Sequence, residues 1–272
     1  MRNGENMQDR EAKVLILCKT YPSPSAKYQE ISCVAGMEES GQLIRLYPVP
    51  FRLIDGEQKF SKWQWISAKV EKSQKDKRPE SHKLLVGSIK PGAVISTDNS
   101  WANRRVFLDK LNVYENPEQL EVARQKHDVT IGLVRPHKIL DLQLTEHANK
   151  EWTPEQREKL IRSQMALFDD EQEIGMLEKI PVDFHYHYEC HTPTGLKKFK
   201  HKIQDWEAGA LYRRMLKQHG SDGWQEPFKN KLLTDLPTKD LLFLMGTMHR
   251  FPDQWLIISL IYPPKQPQQS LF

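Results

Sequence analysis

Gln42-Leu43-Ile44-Arg45-Leu46-Tyr47-Pro48-Val49-Pro50 alternates, with Leu43 and Arg45 on one side and Ile44 and Leu46 on the other. A period of two is the mark of a β-strand, and Pro48 and Pro50, which have no N–H to donate, are expected to end it. Upstream, Val14-Leu15-Ile16-Leu17 reads as a compact apolar strand, followed by a loop containing Pro22, Ser23, Pro24 and Ser25. A second strand covers about Glu30 to Ala35, ahead of a turn at Glu38-Glu39-Ser40-Gly41. Downstream, Trp63 to Val70 has the aromatic and β-branched content of a fourth strand. Short strands broken by Gly, Pro and Ser indicate a small barrel, not a βαβ fold.

The whole chain has 272 residues, enough for two ordinary cores. Hydrophobic residues make up 38% and charged residues 28%, with a mean hydropathy of −0.67, yet aromatics at 9% supply enough bulk to pack. The longest apolar run, Trp255 to Tyr262, suits a buried strand and is far too short for a membrane helix. Residues 1–6 lack the apolar stretch of a secretory signal. Cys18, Cys33 and Cys190 are odd in number and widely spaced, so a reducing, cytoplasmic setting is expected. With 40 basic against 36 acidic residues the net charge is only +4. Charge alone therefore names no partner; local clustering must do so.

Beyond the fourth strand, Lys72 to Lys83 reads as a basic loop. A helix is expected from Asn99 or Ser100 through Leu111, with Asp98, Asn99 and Ser100 all competent caps. Strands follow at Thr130 to Val134 and Ile139 to Leu144, and the first domain is placed at 13–145. The second, 146–264, opens with Thr153, Pro154 and Gln156 in the pattern of a capping box. It continues with a strand at Phe184 to Glu189, a helix begun by Asp205 and stopped by Gly220, and strands at 241–247 and 255–262 about a Pro252-Asp253 turn. Residues 265–272 form an extended tail. There is no internal repeat and no Gly-rich phosphate loop.

A basic and aromatic set gathers in the first half: Arg45, Tyr47, Phe51, Arg52, Lys62, Trp63 and Trp65, then Lys75, Lys77, Arg78, His82 and Lys83. Flat rings stack bases and Arg or Lys meets phosphates, which is how oligonucleotide-binding (OB) barrels hold a strand. The bland alternative is that the tryptophans are core and the lysines solvate a loop.

Cys33-Val34-Ala35-Gly36, the run Leu43 to Arg52, Arg78-Pro79-Glu80-Ser81 and Asp98 to Arg105 resemble a bacterial and archaeal family with a dual OB-fold domain. So does the segment from Cys190 through His201 to Asp205-Trp206-Glu207 and Leu211-Tyr212-Arg213; the resemblance runs from Val14 to Pro264. It implies a β-rich α+β fold, with OB-like barrels at the N-terminus packed on a C-terminal α+β part. Some relatives resemble phage-defence DNA glycosylases, which implies DNA as partner and hydrolysis at a modified or damaged base.

Such hydrolysis needs a carboxylate to position water and a slot for the extruded base. Asp98, close to Trp101, Arg104 and Arg105, is the first candidate, and Glu80 the second. Their structural alternatives are a helix cap and a salt bridge with Arg78. Tyr47 or Trp101 would stack the base, while Arg45, Arg52, Arg78, Arg104 and Arg105 hold phosphates. His185, His187, Cys190, His191 and His201 are dense, but their spacing matches no standard zinc site, and Thr192-Pro193-Thr194-Gly195 stands where the family carries a second cysteine. No metal or cofactor is expected. Two alternatives remain: a non-enzymatic binding module, and a metal-dependent nuclease using Glu189, Asp205 and Glu207. The terminal Gln268-Gln269-Ser270-Leu271-Phe272 resembles sliding-clamp docking peptides, with Gln268 at the pocket rim and Leu271 and Phe272 as apolar anchors. Gln164-Met165-Ala166-Leu167-Phe168 repeats the pattern inside the chain, where core packing is the expected use.

Overall fold

A computed structural model of the chain describes residues 9–21, 32–158 and 178–266. Two compact units emerge: Met1–Ile95 with Thr145–Asp183, and Ser96–Leu144 with Phe184–Phe272. Sequence alone points to one boundary near residue 145; the chain crosses between units at 95/96, 144/145 and 183/184.

The first unit is built on six strands, β1 (Arg10–Lys19), β2 (Ser32–Glu38), β3 (Leu43–Val49), β4 (Gln64–Lys72), β5 (Ser81–Leu84) and β6 (Lys90–Val94). Their order is β1-β2-β3-β5-β4-β6, and a further β1–β4 pairing closes the first five into a barrel. All neighbours are antiparallel except β3 and β5, where Arg45 lies beside Ser81 in a parallel pair. That is the connectivity of an OB-like barrel. Alternation supplies its core: Val14 and Ile16, Ile44 and Leu46, and Ile66, Ala68 and Val70 all point inward. Each large aliphatic side chain so buried contributes on the order of 2 kcal/mol. Gly36 is required where β2 crosses β1, because a Cβ there would sit 2.4 Å from the Leu15 carbonyl oxygen.

The proline rule fails at one point. Strand β3 runs through Pro48 to Val49, because Cys33 alone faces both Tyr47 and Pro48 between the Ser32/Val49 and Val34/Leu46 pairs. This extra residue is a β-bulge, and proline is tolerated at a bulge, where its missing N–H breaks no ladder bond. Further along, the Thr153/Gln156 capping box forms as expected. Gln156 N–H donates to Thr153 Oγ1 at 3.3 Å, and Thr153 N–H donates to Gln156 Oε1 at 3.0 Å.

The second unit holds a seven-stranded sheet with helices beside it. Its strands are β7 (Val113–Tyr114), β8 (Ile131–Val134), β9 (Lys138–Glu146), β10 (Val182–Thr192), β11 (Gly195–Ile203), β12 (Leu242–Thr247) and β13 (Trp255–Ile261). They lie in the order β7-β8-β12-β13-β11-β10-β9. Strands β12 and β13 pair antiparallel around Pro252-Asp253, as their sequence requires. On β10 the buried face is Phe184, Tyr186, Tyr188 and Cys190, and the rings interlock with Tyr212, Phe228 and Phe243. Tyr186 donates to the Leu232 carbonyl at 2.8 Å, which satisfies its buried hydroxyl.

Among the described residues, the sheet is accompanied by helices α1 (Asp98–Leu108), α2 (Pro117–His127), α3 (Trp206–Gly223) and α4 (Gln225–Lys229). Helix α3 begins as its sequence requires, with Asp205 Oδ1 accepting Glu207 N–H at 2.8 Å and Asp205 Oδ2 accepting Leu260 N–H at 2.8 Å. It breaks at Gly220, whose φ of 74° is the left-handed turn that glycine permits. Helix α1 departs from expectation: Asn99, Ser100 and Trp101 have φ of 48°, 54° and 67°, so none of them starts a right-handed helix, and no side chain caps it. Helix α2 was not legible from apolar periodicity, although Asn116-Pro117 is a cap and first-turn signal. Asn116 Oδ1 accepts Gln119 N–H at 2.9 Å.

Candidate nucleic-acid interface

Barrel topology turns the basic loop into a defined object. Strand β4 ends at Lys72 and β5 begins at Ser81, so residues 73–80 form the β4–β5 connection. Asp76, only 6% exposed, organises this loop. Its carboxylate accepts Arg78 Nε at 2.8 Å and Ser81 Oγ at 2.8 Å, and its own N–H donates to Ser73 Oγ at 3.0 Å. Burial works to raise the Asp76 carboxyl, but hydrogen bonds from Arg78 and Ser81 together with the Arg78 charge hold it well below the usual carboxylate range. Lys72 Nζ donates to the Arg78 carbonyl at 3.1 Å and also to that of Pro79. With its base fixed from within, the loop leaves Lys75 and Lys77 exposed at its tip.

The bulge in β3 acts on the neighbouring surface. Leu46 and Val49 both enter the core, so Tyr47 between them is turned outward and is 39% exposed. Arg45 pairs with β5 through its backbone, its N–H donating to the Glu80 carbonyl at 2.8 Å. Its side chain is 3% exposed and reaches Cys33 Sγ at 3.8 Å. A guanidinium so covered offers little surface to a phosphate. Arg78 is likewise committed to Asp76, with 13% of its side chain accessible. Arg52 lies half-buried in a short 3-10 turn after β3. Trp63 is core at 3% exposure, while Trp65 is half-buried with Lys13 Nζ 5.4 Å from its ring centre. Thus Arg45 and Tyr47 on β3 lie beside the end of the β4–β5 loop, where Arg78 and Glu80 sit, but only Tyr47 among them is strongly exposed.

Asp98, Trp101, Arg104 and Arg105 belong to the second unit. Asp98 is exposed, and the left-handed turn follows it directly. Left-handed backbone costs roughly 1–2 kcal/mol per non-glycine residue, a strain that clusters at functional sites. Arg104 stacks 4.7 Å from the Trp101 ring, and Trp101 lies 6.0 Å from Tyr262. Burial lowers the Arg104 guanidinium while the charges of Glu207 and Tyr262 oppose the shift. Arg105 reaches back to the Ser100 carbonyl at 3.4 Å and to that of Pro264. The sequence set therefore divides between units, four residues on α1 and the rest on the barrel.

The histidine-rich segment is a hairpin of β10 and β11 turning at Thr192–Gly195. His187 bonds Gln143 at 2.9 Å, His191 bonds His137 at 3.0 Å, and the Tyr188 hydroxyl bonds His201 Nδ1 at 2.8 Å. Burial pushes His201 down to about 4, so it is neutral near pH 7. Among the described residues no three His, Cys, Asp or Glu side chains are grouped as metal ligands. Both Asp205 oxygens serve backbone N–H groups. Gln268, Leu271 and Phe272, and the internal Gln164 to Phe168, lie outside the described residues. Among the described residues no helix is long and apolar enough to cross a membrane.

Residues 116–272 match the model of a domain of unknown function, DUF8757. The chain belongs to the DUF8757 family. Residues 10–110 match a second domain of unknown function, DUF8758. The DUF8757 match starts at the cap of α2, whereas α1 falls within the DUF8758 match despite lying in the second compact unit. No curated protein matches the chain. A solved chain from a replication protein A heterotrimer bound to ssDNA is similar at 10% identity and a TM-score of 0.26, over 95% of this chain and 66% of that one. The DUF8757 chain thus spans just under two thirds of that protein.

Proposed function

We propose that this is a DNA-binding protein whose barrel holds a single strand along β3 and the β4–β5 loop. The observation that carries the reading is the loop itself. OB barrels bind oligonucleotides across the β2–β3 face and through the β1–β2 and β4–β5 loops. Here the β4–β5 loop presents Lys75 and Lys77 on a base fixed by Asp76, with exposed Tyr47 on the adjoining strand. Cations track phosphates while a ring stacks a base, without reading sequence. The test is loss of oligonucleotide affinity when both lysines are reversed in charge.

The finer reading is hydrolysis at the base, with Asp98 positioning water, Trp101 stacking the extruded base, and Arg104 and Arg105 holding phosphates. Support comes from the glycosylase resemblance and from an exposed carboxylate followed by a strained turn and a cation-stacked ring. Incubation with modified DNA followed by hot alkali is expected to give strand breaks that fall at least about a hundredfold in Asp98→Asn. Intact but retarded DNA would leave the binding module alone standing. The C-terminal tail is assigned to a sliding clamp, and deletion of Leu271 and Phe272 is expected to abolish clamp capture in a pull-down. Undiminished capture would end that assignment.

A further inference from the structure

The second unit contains a cavity of about 350 Å³ that the barrel reading does not use. Its volume lies at the lower end of the ~300–1,000 Å³ typical of small-ligand sites. Leu211, Leu232, Leu236 and Leu260 give it an apolar floor. Tyr262 forms part of the wall and has Trp101 beside it at 6.0 Å. Glu207, Arg214 and Lys231 line it with a carboxylate and two cations; Lys231 also pairs with Asp235, and Asp205, the other lining acid, is occupied by two backbone N–H groups. Lys231 and Leu232 belong to a π-helical turn, Asn230–Asp235, a local widening that recurs at functional sites. The same turn is anchored from below by Tyr186, whose hydroxyl holds the Leu232 carbonyl at 2.8 Å.

We infer that this cavity binds a purine nucleotide through guanine, with the ring on the leucine floor against Tyr262, its donor edge on Glu207 and its phosphate at Arg214 and Lys231. An aromatic-walled apolar slot suits a flat base, and neighbouring cations suit a phosphate. The carboxylate decides among bases because it only accepts hydrogen bonds. Guanine offers two adjacent donors, N1–H and the N2 amino group. Thymine offers one N–H between two carbonyl oxygens that repel a carboxylate. The occupant is either the free nucleotide or a guanine within a strand; both present the same chemistry.

Calorimetric titration of the full chain with dGMP, dTMP and deoxyribose 5-phosphate tests the site. Saturable dGMP binding at least about tenfold tighter than dTMP is expected, the scale of one lost charged hydrogen bond. Glu207→Gln is expected to erase that preference, and Arg214→Ala to weaken both nucleotides about tenfold; both side chains are exposed, so neither change threatens folding. Equal affinity for dGMP, dTMP and the sugar phosphate overturns the inference, as does a preference that survives Glu207→Gln. The Lys75→Glu, Lys77→Glu variant separates the two sites. Undiminished dGMP binding there supports a pocket independent of the barrel, and lost binding overturns it, whatever happens to oligonucleotides. A thymidine oligomer carrying one guanine, if bound tighter than all-thymidine, assigns the site to a base within a strand; equal binding with dGMP still bound assigns it to the free nucleotide.

Discussion

Asp76→Ala is expected to destabilise the barrel unit by about 3 kcal/mol, the scale of removing one partner from a buried, hydrogen-bonded ion pair. The pair qualifies because only 13% of the Arg78 and 8% of the Asp76 side chain is accessible, so water screens it little. The substitution removes the acceptor of Arg78 Nε and Ser81 Oγ at once. A melting temperature lower by roughly 10 °C should follow for a unit of this size. The pH dependence gives an independent check. Because the folded Asp76 carboxyl is held well below its ordinary value, its contribution is complete above the unfolded value near 4 and fades as pH falls toward the folded one. Urea melts of wild type and variant should therefore differ fully at pH 7 and converge in strong acid. A gap that stays constant with pH would show that Asp76 acts by packing, not by charge.

Much of this fold is legible in the chain. Alternation located β3 and β10, continuous apolar runs located β12 and β13, and cap chemistry located the Thr153 box and the start of α3. Closure of the barrel is not local information: it depends on β1 pairing with β4, whose partners lie 50 (Leu15 and Trp65) to 60 (Arg10 and Val70) positions along the chain, and on Gly36 allowing close approach. Sequence could not announce the bulge at Tyr47-Pro48 either, since it reports a mismatch of two strands and not a property of one. Only the start of helix α1 was misjudged: Asp98, Asn99 and Ser100 all favour caps, yet Asn99, Ser100 and Trp101 take left-handed backbone instead. For the site, charge clustering found the loop but not which cations are exposed. Arg45 and Arg78 look equal to Lys75 and Lys77 in one dimension, yet the first is buried and the second serves Asp76. An Asp two residues before an Arg, between Ser73 and Ser81, is a turn signal that could have exposed that role. The cavity under Tyr262 needed the π-helical turn and was invisible beforehand.

The account rests on the β4–β5 loop meeting phosphates, and Lys75→Glu combined with Lys77→Glu is expected to weaken single-stranded oligonucleotide binding about a hundredfold at physiological salt. Each phosphate contact to a single strand contributes about 0.7 to the slope of log affinity against log salt, so losing two should flatten it by at least about 1.4. Tyr47→Ala should behave differently, costing about 1–3 kcal/mol of stacking with the slope unchanged. Fluorescence anisotropy of a labelled oligomer across a salt series measures all three proteins at once. A flatter slope in the lysine variant and an unaltered one in the tyrosine variant is the predicted result. Equal affinity and equal slope in wild type and lysine variant would contradict it.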